Sequence, residues 1–130
     1  MIAGKWQLGN DDSLPDHFGF DEHILWQLTT SGRDSLGWDK RYVNPVLEIN
    51  GKLYEKNEGK YSTDIVVDYI NDFIKRKKDQ PFLVYYPMIL THCPFDPTPH
   101  SKDWDPKDLG SKTYKGNAKY FGEMVSYMDY

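Results

Sequence analysis

The chain has 130 residues, 38% of them hydrophobic, with abundant Trp and Tyr and ordinary Gly and Pro content; this is the composition of one folded domain and not of a disordered tail. A formal charge of −4 leaves no basic face of the size nucleic acid needs, no apolar run approaches the roughly 20 residues that cross a bilayer, and no signal-peptide pattern is present, so neither nucleic acid nor membrane is an expected partner. The single cysteine, Cys93, excludes an internal disulfide and does not identify a compartment.

In chain order, Met1 to Gly4 reads as the last part of a strand. "VLEINGKLYE" holds two short strand-like runs around Asn50-Gly51, a dipeptide suited to a type I′ turn because both turn residues need positive φ. "YSTDIVVDYINDFIKRKK" spaces Ile65, Val66, Tyr69, Ile70, Phe73 and Ile74 along one helical face. Ser62 or Thr63 is the expected cap, Asp64 lies in the first turn, and the run Lys75-Arg76-Lys77-Lys78 complements the helix dipole as a solvated end. "PFLVYYPM" is a continuous apolar run of strand length, expected to be buried on both faces. A helix followed by a buried strand is half of an α/β repeat, so the fold class is α/β, with helices packed on a central, mostly parallel or mixed sheet. Ile89 to Gly116, rich in Pro, Asp, Lys and His, reads as a long surface loop, and such loops tend to be functional or mobile. Finally "NAKYFGEMVSYMDY" places Tyr120, Met124, Tyr127 and Met128 on one helical stripe behind Asn117 as cap.

Ligands of open α/β sheets lie at the carboxyl ends of the strands. "GKWQLG", after the first strand, and "THCPFDP", after "PFLVYYPM", put Lys5 and His92 on one sheet edge. Lysine is a compact charge suited to an oxyanion, and histidine exchanges a proton near neutral pH. Composition alone favours a blander reading of Lys5, a surface lysine with its stem along Trp6. The GxxxxGK[ST] spacing of a phosphate loop is absent. His92 and Cys93 are adjacent, so on an extended chain they point apart and make a poor dyad; Cys93 reads as a small packing residue. His17, His23, His92 and His100 lack metal-ligand spacing. Asp11, Asp12 and Asp16 read as loop carboxylates, and Asp96 has no supporting pattern.

"AGKWQLG", "GFDEH", the helix and strand ending "FIKRKKDQPFLVYYPMILTHCPFDP", and "YFGEMVSYMDY" resemble, in order and spacing, the middle of a type I sulfatase of the arylsulfatase class, over essentially residues 1–130. The resemblance implies an alkaline-phosphatase-like fold. It also implies hydrolysis of sulfate esters by a formylglycine, made from a Cys or Ser, beside a calcium ion. It makes Lys5 a ligand of a sulfate oxygen and His92 a contact to the ester, able to protonate the leaving oxygen. The implied substrate is a sulfated small molecule or glycan, and the implied location exported or lysosomal.

Gln7 departs from the family pattern, which has His at that place in Gly-Lys-Trp-His-Leu-Gly. Glutamine hydrogen-bonds but takes no proton at physiological pH, so it could orient a nucleophile without replacing a base. The Cys-x-Pro-x-Arg signature that yields formylglycine is absent from the sequence, and the family's calcium carboxylates and second active-site lysine belong to flanking segments. The chain therefore reads as the central portion of a catalytic domain, expected to expose sheet edges that favour self-association. Alternatives are a phosphoester or phosphonate hydrolase of the same superfamily, or a catalytically silent sulfated-glycan-binding module. Substrate choice is assigned to loops such as "TTSGRDSLGWDKRY", where Trp38, Arg33 and Arg41 read either as ordinary loop residues or as contacts to a sugar or its anionic group.

Overall fold

The computed structural model describes residues 1–54 and 56–130. Four strands form one sheet in the order β1-β2-β3-β4: β1 (Ile2–Lys5), β2 (His23–Trp26), β3 (Leu47–Ile49) and β4 (Lys52–Tyr54). β1 and β2 are parallel, with Ala3 opposite Ile24 and Lys5 opposite Trp26, while β3 pairs antiparallel with both β2 and β4. The sheet is thus mixed, as expected for this α/β arrangement. The expected hairpin joins β3 to β4 through Asn50 (φ 47°) and Gly51 (φ 74°), both left-handed as a type I′ turn demands. Glu55, at the end of that stretch, lies outside the described residues.

The "PFLVYYPM" segment runs extended beside β1. Tyr85 donates its N–H to the Met1 carbonyl (3.0 Å), while Ala3 donates to Tyr85 (3.0 Å) and Lys5 to Pro87 (2.9 Å). Its apolar run led to an expectation of burial on both faces, but Leu83 is 69% and Tyr85 54% exposed. Among the described residues it pairs on one side only, with β1, and an edge position leaves alternate side chains uncovered.

Because successive strand residues face opposite ways, β1 and β2 feed two cores. Ala3, Ile24 and Trp26 join Val66 and Phe73 of helix α2 (Ser62–Lys77) and Met124 of helix α3 (Phe121–Met128) on one face. Ile2 and Leu25 join Trp6, Leu28, Leu14 and Phe20 on the other, around the short helix α1 (Leu14–His17). Each fully buried large apolar side chain contributes about 1.5–3 kcal/mol to this frame.

The N-cap of α2 is Tyr61, in an extended conformation and without a side-chain cap bond; Ser62 and Thr63, the expected caps, are already helical. The Ser62 N–H is taken instead by the Tyr42 carbonyl (2.8 Å), which ties the helix start to the long loop before β3. At the other end Arg76 grips Glu22 through two bonds (2.9 and 2.7 Å) and Asp72 through a third (2.7 Å), anchoring the helix beside the entry to β2. Asn117 caps as expected, accepting from the Lys119 N–H (3.1 Å), but it opens a 3₁₀ turn (Ala118–Tyr120) ahead of α3. Met124 is buried, whereas Met128 is exposed. From Ile89 to Gly116 there is no helix or strand beyond a single bridge between Phe95 and Gly116. No helix among the described residues is long and apolar enough to cross a membrane.

Candidate active site

At the end of β1 the backbone passes under the Pro87 carbonyl. A Cβ on Gly4 (φ 110°) would sit 2.3 Å from that oxygen, so only glycine lets the two segments meet and lets Lys5 leave the sheet at this point. Trp6 then turns into the second core, 5% exposed. The Lys5 Nζ stands 5.8 Å from the ring centroid of Trp26 on β2. Gln7 follows with φ 59° and donates Nε2–H to Oε1 of Gln27 (3.0 Å), which has φ 64° and donates in turn to the Ser31 carbonyl (3.1 Å). Two chain exits, from β1 and from β2, are thereby clasped by a pair of amides.

The "TTSGRDSLGWDKRY" loop folds back over Trp26. Gly32 (φ 69°) makes this possible, since a Cβ there would fall 2.4 Å from the indole. Arg33 and Asp39 pair across the loop as an antiparallel bridge. Glu48 on β3 holds the loop's first turn, accepting from the N–H groups of Leu28 (3.1 Å), Thr29 (2.8 Å) and Thr30 (3.3 Å) and from the Thr29 hydroxyl. Arg41, only 6% exposed, stands over Trp26 with Cζ 4.3 Å from the ring centroid, a cation–π contact. Asp39 accepts from its backbone N–H (3.0 Å) and from Nη2 (3.4 Å).

His92 comes from the loop beyond the edge segment. Its N–H closes a turn on Ile89 (3.0 Å), and the Tyr42 hydroxyl binds the carbonyls of Ile89 and His92. Arg41 Nη1 reaches both the Cys93 carbonyl and His92 Nδ1. Lys5, Gln7 and His92 therefore line one cleft of about 430 Å³, together with Arg33, Asp39, Arg41, Gln27 and Tyr114. Burial, and then the neighbouring Arg41 charge, hold Lys5 below the ordinary lysine range. Burial raises Asp39, against the opposing pull of Arg41.

The sequence pattern picked out Lys5, Gln7 and His92 but not Asp39, and it left Arg41 as either a loop residue or a sugar contact. The signal available was the alternation in "WDKRY", which sets an acid and a base two residues apart on one side of an extended chain. Cys93 Sγ approaches His92 Nδ1 to 3.8 Å, closer than an extended chain allows, because residues 89–93 turn. The other histidines lie elsewhere: His23 is buried and accepts from Gly51 N–H (3.1 Å), His17 edges Phe18, and His100 is boxed by Tyr127 and Tyr130. Asp11 folds onto Ser13. Asp96 sits half-buried, its carboxyl pushed up to about 6 by burial and then by Asp108 and Asp39.

Among the described residues no group of three or more His, Cys, Asp or Glu side chains could hold a metal ion, and Asp39, the cleft's one carboxylate, is paired with Arg41. The residues of this cleft therefore do not by themselves supply the donor set of a calcium ion. What it does provide is Lys5, Arg33 and Arg41 together with His92 in one cleft, groups able to meet an anion. The family model described as Sulfatase matches residues 1–130, and the chain belongs to the sulfatase family, a family of hydrolases. No curated protein and no solved structure matches it.

Proposed function

We propose that the protein hydrolyses sulfate esters, converting an ester and water into an alcohol, sulfate and a proton, with the Lys5–His92 cleft as the sulfate subsite. One observation carries this reading: Lys5 and His92, from separate chain segments, open into one cleft whose other charged members are two arginines and a single, already paired carboxylate. Lys5 would bind non-bridging sulfate oxygens and stabilise the charge that grows there during transfer, the kind of fixed electrostatic contact worth about 10²–10³ in rate. His92 would meet the ester oxygen and favour its departure as an alcohol. Gln7, clasped to Gln27, would orient groups by hydrogen bonding and take no proton.

The nucleophile and the calcium are proposed to come from residues outside this segment in the full-length protein, and the substrate is proposed to be a sulfated small molecule or glycan. The test is release of sulfate against release of phosphate from matched aryl and sugar esters by the full-length protein. Sulfate release supports the reading, and preferential phosphate release moves the site to the phosphoester branch. Gln7 gives a specific reason to keep the silent glycan-binding module in view. That alternative predicts retention of a sulfated sugar with no turnover, even in the Gln7→His variant.

A further inference from the structure

A second cleft adjoins the first, and Gln7, Gln27 and Ser31 line both. Beyond that shared wall the second, of about 580 Å³, continues over Asn10, Thr29 and Thr30. The two differ in chemistry. Lys5, Arg33, Arg41 and Asp39 belong to the first cleft, as does His92; no charged residue lines the second, where every side chain is an amide or a hydroxyl. The shared wall is also ordered. The Ser31 carbonyl can only accept, so Gln27 turns its amide nitrogen to it and its oxygen to Gln7. Gln7 then gives its own nitrogen to Gln27 and keeps Oε1 as an acceptor. The Thr29 hydroxyl gives its hydrogen to Glu48 and likewise keeps an accepting oxygen. Asn10 is exposed and offers both a donor and an acceptor.

We propose that the second cleft is a subsite for a neutral sugar unit, so that the substrate is a sulfated oligosaccharide and not an aryl sulfate. The sulfate enters the charged cleft, and the sugar unit beyond it lies across the Gln7–Gln27 wall. A sugar hydroxyl both donates and accepts, which suits a lining of amide donors and fixed acceptors. An aryl group would find no aromatic or aliphatic side chain to cover it, unlike the mostly apolar pockets that hold such groups. A uronate or a second sulfate would find no cation there and would lose its hydration without a partner. The volume falls in the range of about 300–1,000 Å³ that suits small ligands. Thr29, Thr30 and Ser31 open the loop "TTSGRDSLGWDKRY", so substrate choice sits at the start of that loop. The naming of the substrate rests on the sulfate-ester reading of the first cleft, while the sugar subsite does not.

The test uses full-length protein with sulfates of glucose, galactose and N-acetylglucosamine, each presented free and linked to a neutral hexose, beside an aryl sulfate. The linked form of at least one sugar should exceed both its free form and the aryl sulfate in kcat/KM by at least about tenfold, as several hydrogen bonds of about threefold to tenfold each are gained. Asn10→Ala, at an exposed position, should lower that preference by about threefold to tenfold, the share of one hydrogen bond. An aryl sulfate turned over as well as every linked sugar overturns the proposal, as does a preference that Asn10→Ala leaves intact. Should no sulfate be released from any of these esters, the sulfate-ester reading fails and the subsite is judged by saturation-transfer NMR with the sulfate-free disaccharides. Contact that Asn10→Ala weakens sustains the subsite, whereas no contact, or contact indifferent to that variant, overturns it.

Discussion

Gly4→Ala is the substitution that most sharply couples the frame to the cleft. Gly4 has φ 110°, where an L side chain costs about 1–2 kcal/mol. The added Cβ would stand 2.3 Å from the Pro87 oxygen and 3.0 Å from its carbonyl carbon, whereas carbon and oxygen ordinarily meet at about 3.3 Å or more. β1 and the edge segment must then part by about 1 Å, which breaks the Lys5 N–H to Pro87 bond of 2.9 Å, worth about 1 kcal/mol. Against this, alanine recovers roughly 0.4–1 kcal/mol by stiffening the unfolded chain. The remaining strain of separating the segments brings the net loss to about 3 kcal/mol, within the range for overpacking. In urea unfolding, a slope of about 1–3 kcal/mol/M turns this into a midpoint lower by about 1–3 M. Since Lys5 is the next residue, sulfate release from the folded fraction should fall too. An unchanged midpoint would refute the reasoning, because it would mean that the backbone approach at Pro87 constrains nothing.

Two further substitutions probe how the site is supported. Asp96→Asn should stabilise the protein at neutral pH: a carboxyl pushed up to about 6 resists ionising when folded, and each pH step of that rise is worth about 1.4 kcal/mol. The penalty, at most about 3 kcal/mol, is present above that folded value and disappears as pH falls towards the ordinary carboxylate range. Melting temperatures across that span check the sign, and an asparagine variant that is less stable at neutral pH contradicts it. Glu48→Ala removes the acceptor of three backbone N–H groups, of which that of Leu28 is buried and those of Thr29 and Thr30 are partly exposed, and should cost about 1–3 kcal/mol, the range for a buried donor left unpaired. Glu48→Gln retains one oxygen and should cost clearly less; thermal melts that rank the two variants equally would contradict this.

The turn at Asn50-Gly51, helix α2 and strand β1 were legible because each is written in local chemistry: a left-handed dipeptide, a helical period, an apolar run before glycine. β2 was not read as a strand. His23–Trp26 is four residues long and buried throughout, so it shows neither alternation nor a turn signal, and only pairing with β1 and β3 defines it. The cap of α2 was misplaced by one or two residues because tertiary contact decided it, the Tyr42 carbonyl capturing the Ser62 N–H. Local pattern also cannot distinguish a central strand from an edge one, hence the exposed Leu83 and Tyr85. In the cleft, Lys5, Gln7 and His92 came from their motifs. Arg41 reads locally as one more charge in a polar loop, and Gly32, Trp26 and the turn at 89–93 are needed to bring it against His92.

The central claim is that Lys5 meets the sulfate, and the most direct measurement is kcat/KM for sulfate release by full-length protein and by its Lys5→Ala variant on the best substrate found. Lys5 is partly exposed at the strand end, so the variant should keep its circular dichroism and melting temperature. We expect kcat/KM to fall by at least about 100-fold, whereas a folded variant within about threefold of wild type would contradict the claim, since loss of one fixed oxyanion contact should cost far more.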